Sequence, residues 1–244
     1  MRRLTGLAYS RSLRDAAPMS KENEEKAMNR FDRNYMERKY HLSWGEGWRR
    51  SPIYGLPILE KEIYVPERLV LFEKISRALD KSGCVIFNQS DKKIDPFWNS
   101  PERYFDALRR FDCVTTPDFS LLLDMPRPFI EANVLRSLML GRKMQELGFR
   151  VLANVMWAHP DTYDFCFEAL PRNSILFVSS VGCLRNKISR ECLADGLRAL
   201  MERVRPPGIV LYGPMPNLNF EIPVVRHFER LSPICRGGYQ SSMF

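Results

Sequence analysis

Residues 150–181 read RVLANVMWAHPDTYDFCFEALPRNSILFVSSV, and this stretch decides the fold class. Two apolar, strand-like segments, 150–157 and 175–181, enclose a segment with a helical pattern that ends near Ala169. Two strands separated by a helix can hardly pair as a hairpin, because a hairpin connection is only a few residues long. They favour parallel pairing through a right-handed crossover.

The same unit repeats on both sides of this stretch. Further strand-like segments occur at 84–88 (CVIFN), 113–116 (CVTT) and 209–213 (IVLYG). Helical patterns are predicted from Pro66 to before Gly83 and over residues 100–110, 128–147 and 189–204, whereas 89–99 is predicted as a polar loop. The expected fold is α/β, with repeated βα units and a mostly parallel sheet. An incomplete TIM-like barrel and an open doubly wound sheet both fit, and residues 222–228 or part of the region before Val65 could add strands.

Outside these units the chain has a distinct beginning and end. Residues 1–60 are predicted to form a basic, aromatic and partly helical extension, with 12 Lys and Arg against 8 Asp and Glu. Residues 61–231 form the α/β domain, and 232–244 are expected to be a flexible tail. Residues 1–20 fit either an organelle transit peptide or a flexible basic leader. Residues 21–40 have a helical pattern, and residues 41–57 place Trp44 and Trp48 in a loop that either packs onto the core or stacks on bases or sugars.

Composition limits the class of protein. The chain has 244 residues, 45% of them hydrophobic, which suits one domain of ordinary size with an extension. No apolar run approaches the roughly 18 to 20 residues of a membrane span. The six cysteines form no closely spaced pairs, which favours a reducing compartment and no structural zinc. A cytoplasmic protein with no membrane partner is therefore expected.

Asp118 is the strongest single candidate for chemistry. It follows a strand-like segment directly, between Pro117 and Phe119. Because the carboxyl ends of parallel strands gather ligand-binding groups, its carboxylate could act there as an acid, a base or a metal ligand. The alternative is that Asp118 caps the following turn.

Other polar and aromatic side chains lie on or after the remaining strand-like segments. They are Asn88, Asn154, Trp157, Ser179, Ser180 and Tyr212. Alternation along a strand would make Asn154 and Ser180 core or helix-facing, while Trp157 and Ser179 point elsewhere. Polar groups in apolar parallel strands need hydrogen-bond partners, so some of these residues are expected in a network or a site.

Two further groups of residues complete the predicted site. His159 precedes Asp161 and Asp164, an arrangement that could bind a divalent cation or transfer protons, although Asp161 also fits a helix cap. Basic residues follow the strand-like segments 84–88 and 175–181, the first and fourth along the chain, and would flank the strand ends. They are Lys92, Lys93, Arg185 and Lys187.

Common catalytic motifs are missing from the sequence. It contains no GxSxG elbow, Walker loop or GxGxxG fingerprint, which argues against a serine hydrolase of that type, a P-loop ATPase and classical dinucleotide chemistry. No motif identifies a cofactor.

Several segments together resemble a known family. They are VPERLVL at 65–71, RFDCVTTPDFSLLLD at 110–124, VMWA at 155–158, FCF at 165–167, VSSVG at 178–182 and LYG at 211–213. This combination is similar to DUF4417, a bacterial and phage family, over about residues 60–230. The resemblance implies a protein of a bacterium, phage or mobile element and argues against the transit peptide, but it supplies no reaction.

Three functional hypotheses follow. The net charge of +8 and the basic residues favour binding of nucleic acid or a phosphorylated ligand at the strand ends, through Lys92, Lys93, Arg185 and Lys187. The second hypothesis is a hydrolase- or lyase-type enzyme that uses Asp118 with His159 or Tyr212. The third is a structural protein whose N-terminal extension binds a protein partner.

Overall fold

The computed structural model of the chain describes residues 30–229. The predicted leader, residues 1–20, and the predicted tail, residues 232–244, lie outside these residues. The described part consists of two units, residues 30–43 and 44–229. The first unit contains helix α1, Arg30–Tyr40, so the helical pattern there is confirmed. No helix in the described part has the length and apolar character needed to cross a membrane.

The second unit alternates strands and helices. Its strands are β1 Leu69–Leu71, β2 Cys84–Ile86, β3 Cys113–Thr115, β4 Val151–Asn154, β5 Ile175–Ser179, β6 Gly208–Tyr212 and β7 Val224–Phe228. Its α-helices are α2 Asp91–Asn99, α3 Glu102–Leu108, α4 Arg127–Glu146, α5 Tyr163–Glu168 and α6 Lys187–Arg203. Short 3₁₀ turns cover Phe72–Lys74 and Pro160–Thr162.

All seven strands run parallel in the order in which they occur along the chain, from β1 to β7. The sheet curls strongly and stays open, as a half-barrel. A doubly wound sheet would reverse its strand order at a switch point, and this sheet has no reversal. The α/β prediction is confirmed, and of its two forms the incomplete barrel is correct.

The two faces of the sheet bury different partners. The inner face gathers apolar side chains from β1 to β7 into one cluster that includes Leu69, Ile86, Leu152, Phe177 and Phe228. The outer face packs against the helices, as buried residues of α2 to α6 share two clusters with alternate strand residues. Side chains alternate between the two faces along a strand. A residue with inner-face parity at the end of a strand therefore points toward the concave side of the sheet.

Two local predictions are wrong. The helix predicted after Pro66 is instead β1 followed by a 3₁₀ turn, because Leu69–Leu71 pairs with Cys84–Ile86 and tertiary pairing overrides the helical spacing. The polar loop predicted at 89–99 is largely helix α2. Ile94, Phe97 and Trp98 lie on one side of α2 and are buried in the core, so packing stabilises a segment whose remaining positions are polar.

The loop before residue 60 packs onto the helices. Trp48 is buried, and its Nε1 donates to Glu146 Oε2 at 3.2 Å. Leu56 and Leu59 join the core cluster that includes residues of α4 and α6. The interpretation of this stretch as a loop fixed onto the core is therefore the one that the structure favours.

Candidate functional site at the carboxyl ends of the strands

A pocket of about 660 Å³ lies at the carboxyl ends of the central strands. Its walls come from the loops after β2, β3, β4 and β5 and from the first turns of α6. The lining residues used below are Asn88, Gln89, Asp118, Phe119, Asp124, Asn154, Trp157, Ser179 and Cys183.

Asp118 lies at the centre of a hydrogen-bonded group of three side chains in this pocket. Asn88 Nδ2 donates to Asp118 Oδ2 at 2.7 Å, and Asn154 Nδ2 donates to Asp118 Oδ1 at 3.0 Å. Both asparagines have the strand parity of inner-face residues, Asn88 with Ile86 and Asn154 with Leu152. Three successive strand ends therefore converge on one carboxylate.

The backbone around Asp118 is fixed by helix α4 and strand β4. Ser137 Oγ on α4 donates to the Pro117 carbonyl at 2.6 Å. Thr116 Oγ1 accepts from the backbone N–H of Asn154 at 3.0 Å. Gly141 of α4 lies so close to Thr116 that an added Cβ would be 2.5 Å from its Cγ2. Close packing of α4 on the end of β3 thus positions the carboxylate.

The structure also bears on the capping alternative for Asp118. The turn that follows is held by Asp91, whose Oδ1 accepts from both the backbone N–H and the hydroxyl of Ser120 at 2.9 Å. The carboxylate of Asp118 is bonded instead by the two asparagine side chains. Asp91 therefore has the capping role that was considered for Asp118.

Burial raises the pKa of Asp118 from 3.8 to about 6. The side chain is partly exposed by surface area, but the protein around its carboxyl group still desolvates the charge. The hydrogen bonds from Asn154 and Asn88 lower the pKa, and the nearby charge of Asp91 raises it. At pH 7 the carboxyl group is therefore mostly ionised, with a proton affinity much closer to neutral pH than that of an ordinary aspartate.

Cys183 contributes a thiol to the same pocket. Burial raises its pKa to about 11, and the negative charge of Asp118 acts in the same direction. The thiol is therefore protonated at neutral pH, which disfavours Cys183 as a nucleophile.

Trp157 and Ser179 both line the pocket. The indole nitrogen of Trp157 donates to the Cys192 carbonyl at 3.1 Å. The ring packs closely on α6, since a Cβ added at Gly196 would lie 2.0 Å from Trp157 Nε1. Ser179 Oγ accepts from the backbone N–H of Val181 at 3.3 Å.

Tyr212 and His159 do not line this pocket. Tyr212 is 3% exposed and belongs to the inner-face cluster beside Phe177. His159 Nε2 contacts the Leu123 carbonyl, and Asp164 binds Tyr54 and Arg127 instead of the histidine. Among residues 30–229 no three His, Cys, Asp or Glu side chains come together as a metal site.

The predicted basic residues lie outside the pocket lining. Lys92 and Lys93 are exposed in the first turn of α2, and Lys93 pairs with Glu73. Arg185 is exposed, and Lys187 lies 3.8 Å from Glu191. The structure therefore separates an exposed basic group from a pocket centred on a carboxylate.

Sequence reasoning did not assign Asn154, Gln89 or Cys183 to the site. Asn154 could have been found from its parity with Leu152, had the inner face of β4 been known. Gln89 and Cys183 lie in loops, where the sequence has no periodic pattern from which to predict the direction of a side chain.

The fold and the pocket define an α/β half-barrel protein with a ligand-sized cavity at its strand ends. The chain belongs to DUF4417, a family described as a domain of unknown function, which matches residues 48–229. It is 33% identical over 182 residues to the Gene 1 protein of Mycobacterium phage L5, covering 73% of this chain and 80% of the phage protein. It is 34% identical over 166 residues to the Gene 1 protein of Mycobacterium phage D29, covering 67% and 62% respectively. No solved structure matches the chain.

Proposed function

We propose that this chain is an enzyme that binds a small organic molecule in the strand-end pocket and uses Asp118 as a general base. The observation that carries the proposal is the convergence of Asn88, Asp118 and Asn154 in a cavity of about 660 Å³. Cavities of this size and position are the usual place for ligands in folds with parallel strands.

The surroundings of Asp118 suit proton transfer. A base is most effective when its pKa lies near the working pH, and the pKa of Asp118 is raised to about 6. The two asparagine amides orient the carboxylate and leave a lone pair on each oxygen for a substrate proton or a water molecule. Because the Cys183 thiol is protonated, base catalysis is better supported than attack by a cysteine thiolate. This chemistry corresponds to a hydrolase or a lyase.

The test compares Asp118→Asn with Asp124→Asn. Both residues line the pocket, but Asp124 is exposed. Each protein is incubated with a small-molecule extract of mycobacterial cells, since the relatives come from mycobacteriophages, and substrate loss is followed by mass spectrometry. We expect Asp118→Asn to slow turnover by about 10²-fold or more while folding is retained, and Asp124→Asn to remain active. For the wild type, kcat/KM should rise with pH through about 6, as Asp118 loses its proton. Full activity of Asp118→Asn would remove Asp118 from the mechanism.

A second candidate function is binding of nucleic acid or a phosphorylated ligand. It is supported by the exposed residues Lys92 and Arg185, both in loops or first turns at the strand ends, and by the net charge of +8. It ranks second because Lys93 and Lys187 already face carboxylates and no cationic side chain lines the pocket.

Fluorescence anisotropy of a labelled 20-nucleotide single strand tests this candidate. Binding should weaken steeply from 50 to 300 mM salt, and it should weaken further in Lys92→Ala/Arg185→Ala. The control Lys61→Ala/Arg150→Ala removes the same charge before β1 and before β4, at exposed positions. Equal losses in both variants would mean that net charge, and not the rim, attracts the strand.

A further inference from the structure

The charges of the pocket lining disfavour anionic groups in the inner part of the pocket, which is the part beside Asn88, Asp118 and Asn154. Two carboxylates, Asp118 and Asp124, line the pocket, and none of its lining residues in the described chain is Lys, Arg or His. A phosphate or carboxylate placed beside Asp118 would meet a like charge without a compensating cation. Two like charges in direct contact repel strongly where the surrounding protein limits the access of water.

The asparagines beside Asp118 add hydrogen-bond acceptors. An ionised carboxylate only accepts hydrogen bonds, so both asparagines must turn their N–H groups toward it and their oxygens away. Asn154 is only 5% exposed, and its Oδ1 and that of Asn88 are buried without a donor among the described residues. A buried acceptor without a donor is destabilising, so a ligand that donates to it would bind more favourably.

Gln89, another lining residue, also has an unpartnered polar atom. Gln89 Nε2 is buried without an acceptor among residues 30–229, while its Oε1 accepts from the backbone N–H of Glu73 at 3.3 Å. The remaining walls are largely apolar, with Phe119, Val155 and Met156 among them. The pocket lining thus combines a carboxylate, residues with unpartnered polar atoms and apolar side chains.

From these groups we propose that the inner part of the pocket binds an uncharged or cationic group with N–H donors, of the amide, amidine or amino-substituted ring class, and that Asp118 accepts one of those hydrogen bonds. The proposal rests on the proposed ligand-binding function of the pocket and names the chemistry of its ligand.

Three probes of the same shape test this class: benzamidine, benzamide and benzoate. They share one ring and differ in a head group that is cationic, neutral or anionic. Binding to the full chain is measured by ligand-observed NMR at pH 7.5. Benzamidine and benzamide should bind, with benzoate at least tenfold weaker than benzamidine. The side-chain amide signals of Asn88 and Asn154 should shift with the two binders, which places them in the pocket.

Two changes separate charge from shape. Asp118→Asn should weaken benzamidine about tenfold and leave benzamide nearly unchanged. Lowering the pH from 7.5 to 5 should have the same effect on the wild type, because protonation of Asp118 removes its charge. Asp106→Asn is the matched control: it removes the same charge at an exposed position of α3 outside the pocket, and it should keep the preference for benzamidine.

Several results would overturn the proposal. They are benzoate binding as tightly as benzamidine, no binding by any of the three probes, or displacement of benzamidine by inorganic phosphate or by Mg²⁺ at millimolar concentration. The outcome is independent of turnover. If Asp118→Asn stays active while benzamidine binds as expected, the general-base function fails and the ligand class stands. If Asp118→Asn is inactive while benzoate binds best, the ligand class fails and the function stands.

Discussion

Asp118 and Glu168 are both partly exposed carboxylates that bind several donors, but the donors differ in kind. Glu168, the last residue of α5, accepts from the backbone N–H groups of Ile53 and Tyr54 at 2.9 and 3.2 Å and from the hydroxyl of Ser51. Asp118 accepts from two side-chain amides that come from neighbouring strand ends. Both side chains are partly exposed, so exposed surface area does not separate the two residues, whereas the identity of their partners does.

This difference teaches how to distinguish a structural carboxylate from a candidate functional one. The bonds to Glu168 satisfy backbone donors of a loop, and this is what a segment without regular structure needs. The bonds to Asp118 are made by side chains whose other polar atoms have no partner in the described chain. Removal of Glu168 should therefore lower stability, whereas removal of Asp118 should change activity and the way in which stability depends on pH.

The largest expected effect is a change in the pH dependence of the unfolding free energy when Asp118 is replaced by asparagine. The pKa of Asp118 is about 6 in the folded chain against an ordinary 3.8, so the folded state binds this proton more tightly than the unfolded state does. Stability from this group is therefore present at low pH and is lost as pH rises from about 4 to about 6. The two pKa values correspond to roughly 3 kcal/mol, which partial exposure reduces to about 2 kcal/mol.

Urea unfolding of the wild type and Asp118→Asn at pH 4 and pH 7 measures this effect. Relative to the wild type, the variant should gain about 2 kcal/mol of unfolding free energy between the two pH values. Asn133→Ala, which changes no titratable group, should show no comparable gain. A difference between wild type and Asp118→Asn that is constant over this pH range would show that the folded structure does not perturb Asp118.

A smaller effect, in this case a loss of unfolding free energy, is expected when Glu168 is changed. Glu168→Ala removes the acceptor for Ile53, Tyr54 and Ser51, of which Ser51 is buried, and should cost between about 1 and 2 kcal/mol. Glu168→Gln keeps one acceptor oxygen and should cost less. Urea unfolding gives the free energies, and hydrogen exchange should speed up at the amides of Ile53 and Tyr54. Unchanged exchange at these amides in Glu168→Ala would contradict the role of Glu168 in holding the loop.

Much of the fold could be predicted from the sequence because buried parallel strands are nearly continuous apolar runs. The runs around Val85, Val114 and Leu176 are the cores of β2, β3 and β5. Strand β1 was not predictable in this way. Its three residues lie in a segment with helical spacing, and only pairing with Cys84–Ile86 distinguishes the two outcomes.

For the candidate site, the sequence predicted which residues lie at the strand ends better than it predicted which side chains contact one another. Asp118 and Asn88 follow strands and could be placed at the rim from that alone. Alternation predicted that Asn154 faces the core or a helix, whereas its side chain binds Asp118 in the pocket. Strand β4 ends at Asn154, so alternation does not extend through the loop to Trp157. The face of each side chain depends on where the strand ends, and element boundaries are the least reliable part of a prediction from sequence.

The smallest expected effect concerns the two asparagines that bind Asp118. Both hydrogen bonds lower the pKa of Asp118, the one from Asn154 more than the one from Asn88. Asn154→Ala should therefore raise the pKa of Asp118 further above its ordinary value, and Asn88→Ala should raise it by a smaller amount. Carbon-detected NMR of the Asp118 carboxyl group through a pH titration measures both, with Asn133→Ala as a control on α4 whose side chain binds the Ser120 carbonyl. If neither Asn154→Ala nor Asn88→Ala moves the titration, the amides are neighbours of Asp118 without electrostatic influence on it. The contrast with Glu168 would then rest on backbone partners alone.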